Sequence, residues 1–220
     1  MTETVARAVV DEALGRREAE PTGENRWGGP AGNGRLTAWL GVLVLYLVAA
    51  QLVTLLNVDK VLSWHVALGG ALVPVALAKT GATGWRMINY YRGVPAYRDA
   101  GAPPMPLRIL GPLVVLSTLA LVGTGLSLLA IGPTGINRPL FTVLGFQIAP
   151  LTIHQVVFFA FAAFTGLHLL ARLVPAWQRT VGTKGVAVAG AGGRAGVIAL
   201  VAVAAIVSSS LVEQAFHGWF

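Results

Sequence analysis

Three histidines lie inside long apolar stretches of this sequence. His154 and His168 fall in the run LTIHQVVFFAFAAFTGLHLLARL, residues 151–173, and His65 lies near the start of an earlier run. Fourteen helical residues make nearly four turns and rise about 21 Å, so His154 and His168 share one helix face at two depths. An imidazole in an apolar helix is costly unless it finds a partner, which makes these residues candidates for a ligand site.

His65 and His154 are predicted to lie at the same depth. Each stands three residues after the start of its apolar run, His65 after Leu62 and His154 after Leu151. Two helical histidines at matched depth provide what axial ligation of a b-type haem requires, one nitrogen above the iron and one below. Gly69 and Gly70 follow His65 by about one turn, where a missing side chain would let a flat macrocycle approach the backbone.

The second depth level pairs His168 with Lys79, which follows His65 by fourteen residues. His168 could hold a second haem iron, pair with the Lys79 amine, hydrogen-bond a quinone or bond a neighbouring helix. For Lys79 the commoner role is that of a basic residue whose long side chain reaches the membrane surface, and a contact with a haem propionate or another ligand is the alternative. Arg86 lies about two turns further along and joins this candidate cofactor or quinone site. It could also pair with haem propionates or lipid phosphates, or serve as an ordinary anchor at the membrane surface.

The composition limits the classes of function. With 55% hydrophobic and 11% charged residues and a mean hydropathy of +0.70, the chain of 220 residues suits a small helical membrane protein. The absence of cysteine excludes disulfides, iron–sulfur clusters and covalent c-type haem. No carboxylate falls within the apolar runs, which disfavours zinc sites and ion carriers. The net charge of +7 comes without an aromatic-interleaved basic patch, so no nucleic-acid partner is expected.

The elements that position these residues are predicted to be five membrane-spanning helices in an all-α bundle, four forming a haem-binding core and one added to it. The apolar runs cover approximately residues 36–56, 62–78, 107–131, 151–174 and 195–212, each near the length that crosses a bilayer. Residues 1–35 are predicted to be a disordered cytosolic tail and residues 36–220 the transmembrane domain.

The distribution of basic residues predicts the orientation. Of the 16 Lys and Arg residues, 14 lie in the N-terminal tail and in the segments 79–108 and 172–194, and two lie in the other connections. Basic residues favour the cytoplasmic side. The sequence therefore predicts a multi-pass protein of the inner (plasma) membrane with a cytoplasmic N-terminus and an extracytoplasmic C-terminus.

These residues resemble the membrane b-type cytochrome superfamily, in particular the cytochrome b subunits of nickel–iron hydrogenases and formate dehydrogenases. In that family the fourth span carries a His-x13-His pair, matched by His154 and His168, and the second span carries one histidine near its outer end, matched by His65. The first span departs from the family, because it offers Tyr46 and Gln51 where the family has a histidine for the second haem. The stretch KTGATGWRMINYYRG, residues 79–93, is also similar to small actinobacterial membrane cytochrome b-like proteins.

The resemblance implies electron transfer between a partner oxidoreductase and the quinone pool through one haem b, or two if another residue completes the inner site. We expect an electron-transfer subunit rather than an enzyme acting alone. The alternative is a cofactor-free membrane scaffold whose polar residues hold helices together within a larger complex.

Overall fold

The computed structural model describes residues 2–16, 27–181 and 188–219, and these residues are 80% helical. Seven helices occur in this part of the chain: α1 Thr2–Ala13, α2 Gly29–Thr54, α3 Leu62–Tyr91, α4 Pro95–Asp99, α5 Met105–Ile131, α6 Pro150–Thr180 and α7 Ala191–His217. A 3-10 turn, Leu55–Asn57, extends α2. Two short antiparallel strands, β1 Phe141–Val143 and β2 Phe146–Ile148, lie between α5 and α6.

Five of these helices, α2, α3, α5, α6 and α7, are long and apolar enough to cross a membrane. The predicted all-α, five-span membrane bundle is confirmed. Each helix also extends past its apolar run, and α3 continues beyond Ala78 to Tyr91. Many large apolar side chains point away from the protein, among them Leu170, which is 77% exposed. Such surfaces are the ones that hydrocarbon covers in a bilayer.

Four of the spanning helices form a ring. Helix α2 packs against α3 and α6, and α5 packs against the same two helices. Within the described residues α3 and α6 make little backbone contact with each other, so they occupy opposite corners of the ring. Helix α7 lies outside it, mainly against α3.

The contact between α3 and α7 depends on a glycine. A Cβ at Gly70 would lie 2.9 Å from the Cβ of Val212 and 3.0 Å from the carbonyl oxygen of Ser208. The Ser208 hydroxyl donates to the carbonyl oxygen of Gly70 at 2.8 Å. Small residues allow this close approach, which is a common way for helices to associate in lipid.

The two ends of the bundle differ. At the hairpin end, β1 and β2 are joined by Leu144 and Gly145, which both have positive φ angles, of 50° and 86°. This short hairpin was not expected from the sequence, since the loop lacks an Asn-Gly turn. At the opposite end, which we call the α1 end, α1 packs against α6.

The N-terminal region, predicted to be a disordered tail over residues 1–35, contains one helix before α2 in its described part. Its described part forms α1, whereas residues 17–26 lie outside the described residues. Helix α2 begins at Gly29 rather than Leu36. Arg194 of α7 explains part of this extension, because its buried guanidinium donates to the backbone carbonyls of Trp27, Val188 and Ala189 and so joins the starts of α2 and α7.

Candidate functional site

His65 lies in the first turn of α3 and contacts α2. Its Nδ1 is 2.8 Å from the hydroxyl oxygen of Thr54. That hydroxyl donates its own hydrogen to the carbonyl oxygen of Gln51, at 2.6 Å. The Thr54 oxygen is therefore an acceptor for the His65 Nδ1–H, which leaves Nε2 with its lone pair.

Gln51 adds a second contact to this histidine. Its side-chain amide nitrogen donates to the backbone carbonyl of His65 at 3.0 Å and lies 3.4 Å from the His65 Nε2. The contact to Nε2 is long for a hydrogen bond, whereas the bond to the carbonyl is ordinary. A ligand at Nε2 could therefore replace the long contact while Gln51 stays bonded to the α3 backbone.

His154 shows the same arrangement with another pair of helices. The hydroxyl of Thr124 on α5 donates to the carbonyl oxygen of Ala120 at 2.8 Å and lies 2.9 Å from the His154 Nδ1. Thr124 thus accepts the Nδ1–H and leaves Nε2 with its lone pair. Gly125 makes room for the ring, because a Cβ there would lie 3.3 Å from the His154 Cε1.

The ring of helices brings the two imidazoles together. His65 on α3 and His154 on α6 both lie at the hairpin end, on helices at opposite corners. They are close enough to interact electrostatically. Each is half-buried, and each is oriented through Nδ1 by a threonine of the neighbouring helix. Histidines that bind a metal are typically oriented in this way, by a hydrogen bond from the ring nitrogen that does not bind the metal.

The second predicted group of residues lies at the α1 end. His168 and Lys79 interact electrostatically with each other and with Arg172. The buried Nδ1 of His168 has no hydrogen-bond partner in the described residues. Arg172 Nη1 donates to Glu12 Oε1 of α1 at 2.5 Å. The structure thus places a lysine and an arginine near His168, with a carboxylate bound to that arginine, and no second imidazole among the residues it describes.

The predicted glycines have different surroundings. Gly69 is next to the site, since a Cβ there would lie 3.5 Å from the amide nitrogen of Gln51. Gly70 instead packs against α7. The reason is the rotation of about 100° between successive helical residues, which turns Gly70 to another neighbour. Arg86 lies near Arg172 at the α1 end, as its electrostatic interaction with that residue indicates.

Sequence reasoning missed the two threonines and the Glu12–Arg172 pair. A signal for Thr54 and Thr124 was present, because each is a polar residue near the hairpin-end terminus of an apolar run. Nothing in the sequence indicated which helix would carry the partner of each histidine. Glu12 could not have been assigned, since it lies 160 residues from Arg172 along the chain.

Two cavities lie away from the histidine pair. One, of about 880 Å³, is open and is bordered by α1 and the start of α5, including Glu12 and Arg108. The other, of about 280 Å³, lies between α2, α3 and α7. Among the described residues there is no group of three or more His, Cys, Asp or Glu side chains that could hold a metal ion.

Comparison with known proteins does not assign the chain to a family. No family model, curated protein or solved structure matches the chain.

Proposed function

We propose that this protein is a membrane b-type cytochrome that binds one haem b between His65 and His154 and passes electrons between a partner oxidoreductase and the quinone pool. The observation that carries the proposal is the matched pair of Nδ1 contacts, Thr54 with His65 and Thr124 with His154. Both contacts leave Nε2, the nitrogen that would bind iron, as a lone-pair donor.

The residues fit a haem ligated from two sides. The histidines come from opposite corners of the helix ring, where the backbones of α3 and α6 are not packed together. A bound haem would supply one-electron transfer, while the chain would fix the axial ligands and surround the macrocycle with apolar side chains. Thr54 and Thr124 would hold the imidazoles in one orientation and make them better electron donors to a metal.

The remaining parts of the proposal follow from the charge pattern. A cytoplasmic N-terminus would put the α1 end at the inner surface and the histidine pair in the outer half of the membrane. The exposed apolar helix faces support the bilayer as the surroundings of the protein. His168 near Lys79 is the place where a quinone headgroup or a second haem would be sought.

A cofactor-free scaffold is the second candidate, and one observation favours it. Both nitrogens of His65 already have neighbours, Thr54 at Nδ1 and Gln51 at Nε2. In a scaffold these contacts would serve only to hold α2 and α3 together, at about 0.6 to 2 kcal/mol for each bond between helices.

The experiment that separates the two candidates is a dithionite-reduced minus air-oxidised absorbance spectrum of the purified protein, with haem per chain from the pyridine haemochrome. Wild type is compared with His65→Ala, His154→Ala and His168→Ala. His217→Ala is the matched control, because His217 is an exposed histidine beyond the ring.

We expect a b-type spectrum that is lost in His65→Ala and His154→Ala and kept in His217→Ala. Size-exclusion profiles show whether each variant is folded, and added imidazole should restore part of the spectrum in the two ligand variants. A wild-type protein that stays colourless after expression with haem supplied would refute the cytochrome and leave the scaffold.

A further inference from the structure

The α1 end contains a buried group of charges that haem binding between His65 and His154 does not use. Arg172 of α6 bonds Glu12 of α1, whose side chain is only 7% exposed. Lys79 of α3 lies near Arg172 but makes no hydrogen bond or ion pair in the part of the chain that the structure describes. Arg172 therefore has a carboxylate partner, whereas the nearby Lys79 of a second spanning helix has none among the described residues.

Lys79 is held against a third helix. A Cβ at Gly41 of α2 would lie 2.9 Å from the Lys79 Nζ, so the ammonium group rests where a side chain is missing. Its position between helices differs from that of a lysine extended along the protein surface. A partly desolvated ammonium group without a counter-ion is costly, which favours binding of an anion beside it.

The depth of Lys79 and Arg172 in the membrane limits which kind of anion can reach them. Lys79 is 17 residues from the first residue of α3, Leu62, and Arg172 is 22 residues from the first residue of α6, Pro150. These separations correspond to about 26 Å and about 33 Å of helix. With both helices entering a hydrocarbon core about 30 Å thick at their first residues, Lys79 and Arg172 would lie near its opposite edge, within side-chain reach of the lipid phosphates.

The distance along the helix also excludes one candidate anion for Lys79, a propionate of a haem held by His65 and His154. Lys79 lies fourteen residues from His65, or about 21 Å along the helix, which exceeds the reach of a propionate from iron. His168 adds a third nitrogen at this level, because it lies one turn before Arg172 and its buried Nδ1 is unpartnered in the described residues. Basic pockets between spanning helices at this depth suit phosphate headgroups.

We propose that Lys79 and Arg172 bind the phosphate group of an anionic phospholipid, and that this phosphate competes with Glu12 for Arg172. In the structure Glu12 accepts a hydrogen bond from Arg172, and this ion pair holds α1 against α6. When a lipid phosphate binds, Arg172 turns from the carboxylate to the phosphate, and α1 is released from α6.

The binding test uses the full chain in mixed micelles and measures bound lipid by native mass spectrometry, with phosphatidylglycerol against phosphatidylcholine. We expect phosphatidylglycerol to bind more tightly to wild type. Lys79→Gln should weaken its binding about fivefold, as expected for one basic residue near a membrane surface. Lys60→Gln is the matched control, because Lys60 is exposed at the hairpin end. Glu12→Gln should bind phosphatidylglycerol more tightly than wild type, since the competing charge is gone.

The release of α1 is measured separately. The chain has no cysteine, so Leu14→Cys and Gln178→Cys introduce a single pair of sites for spin labels beside the contact between Gly15 and Gln178. The distance between the labels should increase with phosphatidylglycerol and stay unchanged with phosphatidylcholine.

Three results would overturn the proposal. Equal binding by Lys79→Gln and Lys60→Gln would remove Lys79 from the site, and unchanged affinity in Glu12→Gln would refute the competition. Displacement of the lipid by millimolar inorganic phosphate would show that the site takes free phosphate rather than a lipid. None of these measurements depends on haem, so their failure and the failure of the proposed cytochrome are distinguishable.

Discussion

The contacts between threonines and histidines give the sharpest test of the proposed haem site. Thr54→Val and Thr124→Val keep the shape of the side chain but remove the oxygen that lies 2.8 Å or 2.9 Å from a histidine Nδ1. Loss of a hydrogen bond that orients a metal-binding histidine typically weakens metal binding 10- to 100-fold. We expect a loss of about this size in the haem affinity of each variant.

The same change should raise the reduction potential. An Nδ1–H that donates to an oxygen makes imidazole a stronger electron donor, which favours the oxidised iron. A hydrogen bond of this kind contributes about 1 kcal/mol. Because about 59 mV corresponds to a tenfold change in a one-electron equilibrium, the largest expected shift is about 40 mV upward for each variant.

The assay combines haem titration of the apoprotein with a redox titration of the loaded protein. Thr118→Val is the matched control, because the Thr118 hydroxyl bonds a carbonyl of its own helix, Val114, and no histidine. Thr124→Ser should restore both affinity and potential. If Thr54→Val and Thr124→Val kept the affinity and potential of Thr118→Val, the threonines would not orient the ligands and the reasoning would be refuted.

Two further predictions concern the packing that holds the site. Gly70→Ala should destabilise the protein by about 1 to 3 kcal/mol relative to Gly69→Ala, because both gain helix propensity but only Gly70 is pressed against α7; equal denaturation midpoints would refute this packing. Glu12→Gln should cost about 3 kcal/mol in the docking of α1, since it leaves Arg172 without its carboxylate, whereas Asp11→Asn at an exposed ion pair should cost less than about 1 kcal/mol. Hydrogen exchange of the α1 amides measures both, and similar exchange in the two variants would contradict the buried ion pair.

The sequence alone determined the class of fold. Five apolar runs of sufficient length dictate five helices, because a chain in hydrocarbon must satisfy its backbone hydrogen bonds internally. It also determined that His65 and His154 lie at equal distances from the starts of their apolar runs. Because the rise per residue of a helix is constant, equal spacing along the chain gives equal depth. The placement of both at the hairpin end follows directly from that regularity.

Only the tertiary structure decided which helix each residue faces. Gly70 faces α7 rather than the histidine pair. Thr54 of α2 contacts His65, whereas Thr124 of α5 contacts His154. Helix α1 is bonded to α6 through Glu12. Lipid tails are as apolar as leucine, so hydropathy does not distinguish a helix face that packs on protein from one that faces lipid. Close contacts and a few hydrogen bonds between residues far apart in the chain determine which face packs on protein. These contacts form only when the helices are assembled.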